Sequence, residues 1–224
     1  MPAERFYLNA EFHLGDTLPL EGQELHHLAH VMRIRPGEEV QLLNGRSALA
    51  TAKVTSIEKR QATLEILAVH QEKPPAAPVT LAIPYMRMAK LEWIIEKGTE
   101  LGAAAFLLYP ADHSEKETFS SHQLERLHFI AISAMKQCGR LDLPSIQPTS
   151  FNQLLTFPKI LFGDPAGDPL NHPAPPLLFI TGPEKGFSPK ELTLLKQKAQ
   201  GVRLHKNILR AETAPIVAIA LFSK

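Results

Sequence analysis

Two segments of the chain combine residue types that could do chemistry. The first is Thr181-Gly182-Pro183-Glu184-Lys185-Gly186-Phe187-Ser188, where glycines flank a Pro-Glu pair after an apolar run and before a helix start. Glycines so placed let a ligand approach exposed backbone amides at the carboxyl end of a parallel strand. The same residues also suit an ordinary tight strand-to-helix turn, and the pattern alone leaves both readings open. The second is Asn207-Ile208-Leu209-Arg210-Ala211-Glu212-Thr213-Ala214, in which charges interrupt an apolar stretch. Arg210 and Glu212 would be costly to bury unless paired or turned toward a ligand, which favours a site over a solvated surface. A basic run leads into it: Lys196, Lys198, Arg203, Lys206 and Arg210, with no acid between Glu191 and Glu212.

Other reactive residue types carry less. His26, His27 and His30 fall on helical spacing, but no HExxH motif and no second ligand cluster accompanies them, so no metal is expected. Cys138 is the only cysteine, which excludes an internal disulfide framework and fits a reducing cytoplasm. It ends a helix whose apolar face is Leu124, Leu127, Ala131 and Met135, so it is expected to pack rather than react. There is no G-x-S-x-G, Walker A or G-x-G-x-x-G motif, which removes the usual serine hydrolase, P-loop and Rossmann readings.

The elements that must position these residues divide near residue 75. Gln71–Thr80 holds Pro74, Pro75 and Pro78 without apolar periodicity and reads as a stiff extended linker over 74–80. Lys+Arg against Asp+Glu is 8 against 10 up to Lys73 and 16 against 13 beyond it, in a chain of 224 residues and net charge +1. Neither imbalance names a partner. No run of about 18 apolar residues suggests a membrane span, and Met1–Leu20 is too charged for a secretory signal.

Residues 1–73 read as short strands, with a hairpin at Asn44-Gly45, strands at Ala50–Val54 and Thr63–Val69, and one helix over Gln23–Met32 ended by Pro36-Gly37. Residues 81–224 alternate buried-type strands with helices. The strands are Val79–Tyr85, Ala104–Tyr109, Lys159–Phe162, Leu177–Thr181 and Val202–Leu204. The helices are Lys90–Leu101, His122–Cys138, Pro189–Ala199 and Ala214–Phe222. Ser121 is the expected cap of the second helix, and Ser188-Pro189-Lys190-Glu191 supplies a capping box for the third. Such alternation predicts a mainly parallel α/β sheet covered on both faces.

The motifs resemble those of the RsmE family, S-adenosylmethionine-dependent methyltransferases of the knotted SPOUT class that act on N3 of a uridine in 16S ribosomal RNA. The likeness begins at Arg5-Phe6-Tyr7, His26-His27-Leu28, Val31-Met32-Arg33 and Pro36-Gly37-Glu38. It continues through Lys97-Gly98-Thr99-Glu100-Leu101-Gly102 and Gln137-Cys138-Gly139-Arg140, and closes with the two segments described first.

The resemblance implies a PUA-like RNA-binding β-barrel domain followed by a trefoil-knotted methyltransferase domain that works as a homodimer in the cytoplasm on 16S ribosomal RNA or the small subunit. The cofactor loops would be Leu161–Asp164, Thr181–Gly186 and Leu204–Leu209. Cofactor contacts would fall on Leu161, Gly163, Thr181, Gly182, Pro183, Glu184, Gly186, Leu204, Asn207, Ile208, Leu209 and Thr213. Arg210 would stabilise charge on the uracil, and Glu212 would orient Arg210 or act as base. Arg5, Arg33, Lys90 and Arg140 would contact RNA.

The chain departs from the family where Lys185 and His205 replace glycine, where Lys136 replaces glutamate, and at Asn207 and Ala211. A positive φ at Lys185 or His205 would cost on the order of 1 kcal/mol each. These departures motivate a rival reading, an RNA-binding or ribosome-assembly protein that has lost methyl transfer.

Overall fold

The computed structural model describes residues 4–73, 78–114, 118–170 and 177–222. It divides into two units, Met1–Pro74 with Met135–Leu143, and Pro75–Ala134 with Pro144–Lys224.

The first unit contains β1 (Arg5–Tyr7), β2 (Thr17–Glu21), α1 (Gly22–His26), β3 (Glu39–Leu43), β4 (Ala48–Ile57) and β5 (Gln61–Gln71). Its five-stranded sheet runs β1-β3-β4-β5-β2, with β1 parallel to β3 and the other pairs antiparallel. Alternation along β4 buries Ala48, Ala50, Ala52 and Val54, as a half-buried strand requires. They join Phe6, Leu20, Leu28, Leu42 and Leu64 in one core. The Asn44-Gly45 hairpin forms: Asn44 Oδ1 accepts from the amides of Arg46 and Ala48, and Gly45 takes φ +70°.

After α1 the helix continues as a π-helical turn, His27–Val31, a widening that the sequence periodicity does not report. Arg33 then adopts φ +57° and is exposed, so the helix ends ahead of Pro36-Gly37.

The elements beyond the first sheet are β6 (Val79–Pro84), α2 (Met88–Glu100), β7 (Ala105–Tyr109), α3 (Ser121–Cys138), whose residues from Met135 belong to the first unit, β8 (Ser145–Pro148), α4 (Phe151–Leu154), β9 (Ile160–Pro169), β10 (Leu177–Ile180), α5 (Pro189–Lys198), β11 (Gln200–Arg203) and α6 (Thr213–Phe222). All six strands are parallel, in the order β11-β9-β10-β6-β7-β8. β10 is buried at every residue, which is what a central parallel strand covered on both faces demands.

Several expectations are corrected. The side chain that caps α3 belongs to Ser120: its Oγ accepts from Gln123 N at 3.2 Å, and Gln123 Oε1 accepts from Ser120 N at 3.1 Å. Ser121 is already inside the helix. Cys138 is exposed rather than packed, because α3 ends there and Gly139 turns the chain away at φ +80°. A Cβ at position 139 would also lie 2.8 Å from Arg5 Nη1. Neither Lys185 nor His205 has positive φ; Gly186 alone takes the left-handed step in the first loop, at +75°. β6 begins at Val79, where the strand Val79–Tyr85 is expected, and residues 74–77 of the expected linker lie outside the described residues.

Candidate active site

Past the carboxyl ends of β10 and β11, and beside the middle of β9, the second unit opens a cavity of about 990 Å³. That is where open parallel sheets bind ligands, and the volume is at the upper end of ordinary ligand pockets. Its lining includes Gly163, Thr181, Gly182, Pro183, Glu184, Gly186, Leu204, Asn207, Ile208, Leu209, Arg210 and Glu212. Two expected contacts fall elsewhere. Leu161 is 2% exposed within β9, because the strand runs on to Pro169 where the sequence suggests a loop. Thr213 opens α6, and its neighbour Ala214 reaches the cavity instead.

Local physics holds the first loop rigidly. Thr181 donates to the Ala82 carbonyl from both its amide and its hydroxyl, at 3.0 and 3.1 Å. Gly186 N donates to Pro183 O at 2.8 Å, closing the turn. The predicted capping box forms at Ser188 and Glu191. Glu191, only 3% exposed, also accepts from the Asp112 amide, and Ser188 Oγ donates to Asp112 Oδ2 at 2.5 Å. The turn thus exists for structural reasons, and it also lines the cavity.

Fully buried Tyr109 donates its hydroxyl to the Thr181 carbonyl at 2.7 Å. Burial, then the Glu191 carboxylate, pushes this phenol well above the ordinary tyrosine value of 10.0. The unfolded chain therefore releases the proton first as pH rises. Stability from this group is complete below about pH 10 and falls above it. Tyr109→Phe is expected to lose about 1–3 kcal/mol at neutral pH and to flatten the alkaline fall. Denaturant unfolding across pH checks both; an unchanged curve would remove Tyr109 as the anchor of the loop.

Charged groups meet inside the cavity. The Lys90 ammonium, near the start of α2, contacts the Glu184 carboxylate and lies 3.4 Å from Glu212 Oε2. Glu212 is 18% exposed, and its Oε2 has no hydrogen-bond partner among the described residues. Arg210 is 86% exposed, with Nη1 4.0 Å from Glu212. Lys90, expected at RNA, lies in the cavity. The cavity also has apolar walls at Phe162, Phe187 and Leu192, of which Phe187 and Leu192 lie outside the expected cofactor loops, and the cations Arg203 and Lys206 of the basic run line it. The Gly-Phe-Ser step and the acid-free basic run were the available signals.

The arginines expected at RNA lie in the first unit. Arg5 donates from Nε to Gln41 Oε1 at 3.1 Å and from Nη1 to the Lys136 carbonyl at 3.2 Å. Arg140 is 10% exposed and pairs with Asp142. Both are engaged internally, whereas Arg33 faces solvent. Lys136 pairs with Glu24 at 2.6 Å, so its departure from the family pattern has a partner in this chain. Among the described residues no group of three His, Cys, Asp or Glu side chains is placed to hold a metal ion, and no helix is long and apolar enough to cross a membrane.

Comparison with known proteins adds an independent line. An RNA methyltransferase domain model matches residues 72–223, and an RNA methyltransferase PUA domain model matches residues 20–67. Ribosomal RNA small subunit methyltransferase E of Synechocystis is 32% identical, over 97% of this chain and 76% of that protein. The Bacillus subtilis protein of the same name is 29% identical over 92% of this chain and 90% of its own length. Among solved structures, a putative methyltransferase of Legionella pneumophila in complex with the cofactor SAM superposes with a TM-score of 0.90. It is 26% identical and covers 99% of this chain and 97% of its own. Ribosomal RNA small subunit methyltransferase E of Neisseria gonorrhoeae, bound to S-adenosyl methionine, gives 0.88 at 29% identity, over 97% and 95% of the two chains.

Proposed function

The chain belongs to the ribosomal RNA small subunit methyltransferase E family of RNA methyltransferases, and from that premise we propose that it transfers a methyl group from S-adenosylmethionine to N3 of a uridine in 16S ribosomal RNA. The observation that carries this reading is that the glycine-bearing loop and the Arg210–Glu212 segment line the same cavity. The family reading includes the trefoil knot and the division into a PUA-like domain over 1–73 and a methyltransferase domain over 81–224.

The residues fit the cofactor. The cavity offers apolar walls at Phe162, Phe187 and Leu204, and it sets two carboxylates against one lysine, which complements a cationic ligand. Gly163, Gly182, Gly186, Leu204, Asn207 and Leu209 would hold it. When bound, S-adenosylmethionine would supply an electrophilic methyl group for N3, the electron pair of its carbon–sulfur bond remaining on sulfur.

The chain's own residues handle the acceptor. N3 gives up one proton as it gains the methyl group, and the Glu212 carboxylate takes that proton and passes it to water. Arg210 faces the negative charge that grows on a uracil oxygen as N3 loses its proton. A paired uracil hides N3, so the target is unpaired or extruded. Exposed Arg33, in its left-handed conformation, and the rim cations Arg203 and Lys206 are the groups proposed for RNA phosphates.

Isothermal calorimetry with S-adenosylmethionine tests the cofactor half of the reading. Binding near one equivalent per chain, unchanged by chelator, is expected; absence of binding would favour the assembly-protein reading. The site is further proposed to be completed in a homodimer. Light scattering is expected to give twice the chain mass, and a fully active monomer would contradict the shared site.

A further inference from the structure

Lys90 reaches the cavity through the topology of the sheet. β6 and β10 are parallel neighbours, so α2, which follows β6, starts beside the loop that follows β10. That brings Lys90 to Glu184. α6 packs against both α2 and β6, which brings Glu212, the residue before α6, to the other side of the same ammonium. Three ionisable groups therefore share one wall, with two carboxylates against one lysine.

The two carboxylates are not equivalent. Glu184 is in contact with the ammonium and is 46% exposed, so water also serves it. Glu212 is 18% exposed; its Oε2 is buried 3.4 Å from the Lys90 ammonium without a hydrogen bond among the described residues, and its Oε1 lies on the Arg210 side, 4.0 Å from Nη1. One lysine offsets one negative charge, and the closer partner is Glu184. The cluster thus retains one negative charge, and Oε1 is the Glu212 oxygen that does not face the ammonium. Different surroundings give chemically identical groups different tasks.

We propose that Lys90 is a positioning residue for methyl transfer: anchored by Glu184, its ammonium holds the buried Oε2 of Glu212 so that Oε1 is presented to the acceptor. This rests on the reading of Glu212 as the group that takes the N3 proton. It replaces the expectation that Lys90 holds RNA phosphate. With its ammonium between two carboxylates, Lys90 has no need of a phosphate partner. It also separates Lys90 from Arg210, which is 86% exposed and too far from Glu212 to hold it.

The test uses the full chain with Lys90→Met, Lys90→Arg, Glu212→Gln and the double variant Lys90→Met/Glu212→Gln. Single-turnover methylation, RNA KM, RNA affinity against salt, and melting temperature are measured on each. Lys90→Met is expected to slow turnover about a hundredfold, the usual cost of a misplaced reacting group. RNA KM should stay within threefold, and Lys90→Arg should restore most of the rate. Adding Lys90→Met to Glu212→Gln should cost little more, because both act through one group.

A phosphate contact would behave otherwise: Lys90→Met would raise KM and reduce the log–log salt slope of RNA binding by about 0.7 while turnover held. That result overturns the proposal, as does an equal loss of melting temperature in Lys90→Met and Lys90→Arg. A slow Glu212→Gln beside a normal Lys90→Met defeats the Lys90 role and leaves the Glu212 reading standing. A normal Glu212→Gln defeats the reading itself, and with it any role exerted through Glu212.

Discussion

Arg210→Ala is expected to slow single-turnover methylation by roughly a hundred- to a thousandfold, the loss typical of one donor aimed at developing charge. Cofactor affinity and melting temperature should hardly move. The residue could in principle have closed an internal ion pair with Glu212, in which case its removal would unfold the protein. The structure decides between these. The Arg210 side chain is 86% exposed and its nearest guanidinium nitrogen is 4.0 Å from the carboxylate. A long, solvated contact of that kind contributes little to stability. Alanine at 210 therefore removes a group at the mouth of the cavity and leaves the fold its packing. An unchanged rate with a normal melting temperature would take Arg210 out of the mechanism.

Glu212→Gln should lose about a hundred- to ten-thousandfold in turnover, the range for removing a positioned proton acceptor. The amide keeps the shape of the side chain but cannot take a proton from N3. Stability should hold or rise, because the substitution removes a largely buried carboxylate whose Oε2 lacks a hydrogen bond. Lys90 keeps Glu184 as its counter-ion in this variant, so the cluster does not collapse into an unpaired cation. Thermal unfolding and single-turnover kinetics on one preparation separate the two effects. A Glu212→Gln enzyme at the wild-type rate would show that another group accepts the proton.

What could be read from the sequence followed from strong local signals. The strand-helix alternation of residues 79–222 announces a parallel sheet, and Ser188-Pro189-Lys190-Glu191 announces a helix start, because apolar period and capping chemistry are local. The hairpin at Asn44-Gly45 was legible for the same reason. Features that depend on distant partners were not. β1 and β8 are short edge strands that exist through pairing with β3 and β7, and nothing in three or four residues proclaims that. β9 runs past the expected loop because Val202 and Arg203 pair with Asp168 and Pro169 across a bulge.

The site divides the same way. Arg210 and Glu212 stand out as charges in apolar surroundings, and the structure brings both to the cavity wall. Lys90 sits in an unremarkable amphipathic helix, so only the neighbouring of β6 and β10 turns it into part of the cavity. Arg140 looks like a free cation in sequence, yet Asp142 two residues on pairs with it.

Nucleoside analysis of reacted RNA tests the central claim most directly. Purified chain, S-adenosylmethionine carrying a labelled methyl group, and small ribosomal subunits or 16S ribosomal RNA lacking the modification are incubated, and the RNA is digested to nucleosides for mass spectrometry. The expected product is labelled 3-methyluridine at about one equivalent per RNA, lost in Arg210→Ala and Glu212→Gln. Label on another base or on ribose, or no label despite cofactor binding, would contradict methyl transfer to uridine N3.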